Sequence, residues 1–181
     1  MRNGRRRFGG ARPRAYEPSV SATGEAVSAA SGLPVDVWSV TVSVPSANAY
    51  WTGSTSASSE LVLFDPAAKF TGDAGGFDSS GKAIAVKFDV RYDTRLRPRG
   101  SMTVKFSGGS FSGKDPAWIV QVGNVAIIEQ VGTLNGSRAT LQLRVDDNAE
   151  AARPDTFRVR LGAYESGTTT VTTGNLQAHP S

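Results

Sequence analysis

Six arginines fall within residues 1–14, Arg2, Arg5, Arg6, Arg7, Arg12 and Arg14, and no acidic residue lies among them. Guanidinium groups at that density displace counterions from phosphates. The segment therefore predicts a salt-dependent hold on nucleic acid that is blind to sequence. With six positive charges there, the overall charge of +4 leaves the rest of the 181-residue chain at −2. A second basic group, Arg91, Arg95, Arg97 and Arg99, would extend a phosphate surface at a hairpin tip. Carboxylates gather after Val145: Asp146, Asp147 and Asp155, with Asn148 and Glu150 between them. Hard cations such as calcium take several oxygen ligands of this kind, so these three aspartates are the candidate metal ligands, with calcium the cation they suggest; no other cofactor is expected. Their spacing fits no EF-hand, and a solvated hairpin loop is the competing reading. Asp65, Asp73 and Asp78, in a glycine-rich stretch, form a second and sparser set. Tyr50 and Trp51, adjacent in a polar segment, would stack on a sugar ring if exposed; Trp38 and Trp118 have apolar neighbours and are expected in the core.

Catalytic patterns are missing from the sequence. General acid–base work needs a base of tuned pKa held near its proton. The single histidine, His179, lies beside the C-terminus, where chains fray. No nucleophile elbow, phosphate-binding loop or zinc-protease motif occurs, and the chain is read as a non-enzyme. With no cysteine, a disulfide framework is excluded. No apolar run is long enough to span a membrane. The basic start lacks the apolar segment that would make it a signal peptide.

These groups must be positioned by strands. Residues 1–32 hold almost no large apolar side chain and are expected to be a disordered, Arg-rich tail. From Leu33 the apolar period is two. Strands are expected over 35–44, 60–64, 82–92, 101–106, 118–122, 125–131, 139–145, 156–161 and 170–178. Residues 71–81, with four glycines and two aspartates, read as a long loop. Pro98 and Gly100 read as turn residues, and Gly123-Asn124 and Leu134-Asn135-Gly136-Ser137 as hairpin turns. Ile84, Val86, Phe88, Val104, Trp118, Leu141, Leu143, Phe157 and Val159 are the expected core. The whole predicts an all-β, antiparallel β-sandwich, immunoglobulin-like or jelly-roll-like, behind a disordered basic tail.

Several pieces, in order, resemble the C-terminal domain of large secreted bacterial proteins, where it follows immunoglobulin-like repeats of the PKD or HYR type. They are LVLFDPAAKFTGDAGGF, GKAIAVKFDVRYDTRLRPRGSMTVKF, AWIVQVGNVAIIEQVGTLNGSRATLQLRVDD, PDTFRVRL and GNLQAH. The resemblance covers roughly two thirds of the chain. Departures are Asp115-Pro116-Ala117, where the family has an aromatic before the tryptophan, and an opening loop without the family's Trp. Residues 33–64 resemble the last strands of a PKD-type repeat, which would make 65–181 the terminal domain. The resemblance implies an extracellular or cell-surface setting and a non-catalytic role in structure, adhesion or display, with other domains or surface proteins as partners. A basic arm ahead of a β-sandwich also looks like small RNA-virus coat proteins, which implies instead an assembly protein in a virion. A carbohydrate-binding module using Tyr50 and Trp51 is the third reading.

Overall fold

Alternation of apolar and polar residues builds the fold. Along Ala83–Tyr92 each even-numbered residue, Ile84 to Tyr92, is buried and each odd-numbered one is exposed. A strand puts successive side chains on opposite faces, so this pattern makes a strand with one dry face. The computed structural model describes residues 33–41, 54–148 and 153–179, with short strand pieces at 19–20, 26–27 and 43–44. The six tail arginines, Tyr50, Trp51 and Glu150 lie outside the described residues.

In the N-terminal unit, β1 (Ser19–Val20) pairs with β2 (Ala26–Val27). In the second unit, β3 (Asp36–Val40) pairs with β6 (Ser59–Leu63), and β4 (Ser43–Val44) with β5 (Ser54–Thr55). The large sheet follows: β7 (Lys69–Phe77), β8 (Ala83–Tyr92), β9 (Pro98–Phe106), β10 (Gly109–Lys114), β11 (Trp118–Val122), β12 (Val125–Leu134), β13 (Ser137–Asp146), β14 (Thr156–Leu161), β15 (Tyr164–Glu165) and β16 (Thr169–His179). The order around it is β10-β9-β8-β7-β16-β14-β13-β12, all antiparallel, and β10 pairs again with β12 through Phe111↔Leu134 and Ser112↔Thr133. The sheet thereby closes on itself as an eight-stranded barrel.

The expected sandwich is thus corrected to a barrel, while the all-β antiparallel class stands. Both architectures need strands with one buried face, so alternation alone cannot separate them. What decides is whether the two edges meet. They meet here because Gly132 lets β12 approach β10; a Cβ at that position would collide with the Ser112 carbonyl.

The interior is filled from all sides. Phe70, Val90, Val104, Phe111, Ile119, Ile128, Leu141, Leu143, Val145 and Val159 are fully buried. The glycine-rich stretch expected as a loop is mostly β7. Its inward positions Gly72, Ala74 and Gly76 are small, and at Gly72 the large side chains of its direct partners on the flanking strands, Phe88 of β8 and Leu176 of β16, take the space. A Cβ on Gly72 would lie 2.6 Å from the Phe88 ring and 2.7 Å from Leu176. Small inward residues facing large ones are how a narrow barrel is packed.

Residues 109–122 form one bent ribbon. β10 pairs with β9; then Asp115, at φ 51°, turns the chain, and β11 pairs with β12. Asp115 N–H donates to the Gly100 carbonyl (2.7 Å), and Ala117 N–H donates to Glu129 on the other side (2.8 Å). The Gln130 amide, fully buried, donates to the Lys114 carbonyl across the bend (3.0 Å). Beyond the bend β9 and β11 separate, and Tyr92 fills the seam. Its hydroxyl donates to Ile119 O (2.9 Å) and accepts from Ile119 N–H (3.1 Å), replacing a missing strand partner. Burial pushes the Tyr92 phenol above its usual range.

Candidate functional site

Two groups singled out in the sequence come to the same end of the barrel. That end holds the β8–β9 loop, the start of β7, the β11–β12 turn, the β13–β14 connection and the end of β16. Lys69 of β7 opposes both Arg91 of β8 and His179 of β16, and its N–H donates to the Gln121 side chain of β11 (3.0 Å).

The carboxylate group lies where β13, β14 and β16 converge. β14 and β16 share only the pairs Thr156↔Thr170 and Phe157↔Thr169 before they diverge. Asp155, 7% exposed, bridges the opening. One carboxylate oxygen accepts Asn148 N–H (2.8 Å) and the other Leu176 N–H (3.1 Å), while its carbonyl accepts Val171 N–H (2.9 Å). Asp147 accepts Ala178 N–H (2.9 Å). Asp146 is held by Arg144 through two bonds of 2.8 and 3.1 Å. Each of the three candidate calcium ligands therefore accepts hydrogen bonds from protein donors. Among the described residues no group of three or more His, Cys, Asp or Glu is arranged to hold a metal ion.

The second acidic set is dispersed. Asp65 precedes β7 and caps the Ala67 amide (2.9 Å). Asp73 pairs with Lys87 across β7–β8 on the outer face (2.7 Å). Asp78 lies past the other end of β7, where it accepts from Ser80 Oγ (2.6 Å), the Ser80 and Lys82 amides (2.9 and 3.0 Å) and the Tyr164 hydroxyl (3.1 Å). The Ser80 hydroxyl and the Lys82 amide hold its carboxyl down to about 2, and burial, with the bond to Asp78 adding to it, pushes Tyr164 up to about 12. Asp78 is a loop brace.

The basic group forms a built tip. Asp93 accepts the Arg95 and Arg97 amides (2.8 and 2.9 Å) and Arg99 Nε (3.1 Å). Its own N–H donates to the Arg97 carbonyl (2.9 Å), and its carbonyl accepts Leu96 N–H (2.9 Å). Pro98 and Gly100, expected as turn residues, instead begin β9, because the turn closes at residues 93–97 around Asp93. Arg99 is tied to Asp93 and Asp115. Arg91, Arg95 and Arg97 are exposed, with no carboxylate partner among the described residues. A shallow depression of about 150 Å³, lined by Asp89, Arg91, Arg99, Gly100 and Ser101, lies along the hairpin.

Sequence reading passed over Leu96. It sits at the apex between Arg95 and Arg97, 54% exposed, at φ 58°. An apolar residue inside an arginine run was its only signal. Trp38 and Trp118, expected in the core, are half-buried: Trp38 Nε1 donates to the Pro34 carbonyl (3.1 Å), and Trp118 opposes Glu129 across β11–β12. Burial raises the Glu129 carboxyl and nearby Glu60 adds to it, while a bond from Trp118 opposes the rise. His179 is paired in β16, with Nε2 3.0 Å from Thr71 Oγ1.

No family model matches the chain, and no curated protein or solved structure matches it.

Proposed function

We propose that this chain is a non-catalytic structural or adhesive β-module of a secreted or cell-surface protein. The packed interior of the barrel carries this reading. Side chains from all eight strands fill the space that a ligand cavity would need. Contacts with other molecules then fall to the outer face and the end loops, as suits display or adhesion. The resemblance to domains that follow PKD or HYR repeats supports the same setting. The test is labelling of unpermeabilised producing cells with an antibody raised against the barrel, with protease shaving alongside. Surface signal that shaving removes is the expected result. Signal only after lysis overturns the reading.

The six arginines of residues 1–14 favour a second reading, an assembly protein whose arm holds nucleic acid. On that reading RNA binding falls steeply with salt, with a log–log slope of up to about −5 for six contacts. It is lost in a variant starting at Tyr16. Absence of binding at low salt removes this reading.

A further inference from the structure

The β8–β9 tip spends conformational energy to put an apolar side chain in water. Leu96 adopts φ 58°, a left-handed conformation that is unfavourable for a residue with a branched side chain and that Gly or Asn enters more easily. Five hydrogen bonds centred on Asp93 hold the loop in this shape. The side chain so presented is 54% exposed. Arg95 and Arg97 flank it in the chain and Arg91 lies on the adjoining end of β8, and the guanidinium groups of all three have no carboxylate partner among the described residues. On the same end of the barrel β11 finishes with Val122, 57% exposed. Residues 91–99 carry four arginines against one aspartate.

We propose that this tip docks the domain onto an anionic phospholipid surface, with Leu96 entering the headgroup boundary and Arg91, Arg95 and Arg97 meeting the lipid phosphates. Charge alone would suit any polyanion. The exposed leucine at the apex favours a bilayer, because an apolar side chain gains from leaving water at the acyl boundary and gains little along a phosphodiester backbone. Basic residues near an anionic leaflet each strengthen binding about fivefold.

The experiment is vesicle co-sedimentation of the full chain at physiological ionic strength. Phosphatidylcholine vesicles are compared with vesicles that also contain phosphatidylglycerol, and binding to single-stranded RNA is measured in parallel. The wild type should bind only the anionic vesicles. Arg95→Gln with Arg97→Gln should lower that partitioning about tenfold or more. Leu96→Asn leaves the charge intact and should lower it about fivefold, with a melting temperature equal to or above wild type because Asn accommodates the left-handed backbone. RNA binding should be insensitive to Leu96→Asn, which separates insertion from simple phosphate attraction. The N-terminal arginines are present in every variant, so they cannot create these differences. The proposal is overturned if Leu96→Asn sediments with anionic vesicles as the wild type does. It is equally overturned if the double arginine variant is unchanged, or if the tip variants weaken only RNA binding.

Discussion

Replacing Asp155 by Asn keeps the size of the side chain and removes one acceptor. In the native structure its two carboxylate oxygens serve amides from different elements, Asn148 before the β13–β14 connection and Leu176 within β16. Leu176 is 1% exposed, so water cannot replace a lost partner there. In Asp155→Asn an NH2 group faces one of these N–H groups. The stranded amide costs about 1–3 kcal/mol, and losing a charge-assisted bond to the other adds to it, for a total of about 2–4 kcal/mol. That is a sizeable part of the stability of a domain this size and corresponds to a fall in melting temperature of roughly 10 °C. Urea unfolding followed by tryptophan fluorescence, in calcium and in chelator, measures it. The midpoint should fall equally in both buffers with an unchanged slope. A loss under about 0.5 kcal/mol, within the range of surface substitutions, would show that Asp155 does not tie β16 to the β13–β14 junction. If calcium raises the wild-type midpoint and Asp155→Asn abolishes the rise, the carboxylate is a metal ligand and the structural role assigned to it is refuted.

Tyr92→Phe removes the hydroxyl that serves both Ile119 N–H and Ile119 C=O in the β9–β11 seam. It should cost about 1–3 kcal/mol in urea melts, and amide exchange at Ile119 should accelerate. Gly72→Ala places a methyl against Phe88 and Leu176, both buried, and should destabilise by about 1–3 kcal/mol; adding Phe88→Leu should recover part of the loss. Asp78, held at about 2 against an ordinary 3.8, contributes stability that is complete above 3.8 and lost as pH falls toward 2. Carboxyl-carbon NMR should give a midpoint near 2, and Asp78→Asn should flatten the acid limb of the stability curve. A midpoint near 3.8 would show that the Ser80 and Lys82 bonds do not hold the carboxylate.

Residues whose structure depends on near neighbours were legible in the sequence. Leu134-Asn135-Gly136-Ser137 makes its hairpin because Asn135 and Gly136 both take positive φ, a local preference. β11 and β14 have the boundaries that their apolar runs predict. Of the residues expected in the core, only Trp38 and Trp118 are not fully buried; Trp118 lies against Glu129 near the β3–β6 ribbon. Charge was equally plain, and the arginine hairpin is where its residues suggested. The rest was set by partners distant in the chain. Lys69–Phe77 reads as a loop because glycine disfavours strands, yet Phe88 and Leu176 need the space that Gly72 leaves. Gly109–Lys114 shows little apolar alternation and becomes a strand because β9 pairs with it along its whole length. That Asp155 accepts Leu176 N–H was not legible either, because β16 brings that amide to it from 21 residues further along the chain. The barrel itself rests on two residue pairs between β10 and β12. Which face of a strand is apolar follows from the order of its own residues; whether two sheet edges meet depends on close approaches, such as Gly132 against Ser112, that exist only once the chain has folded.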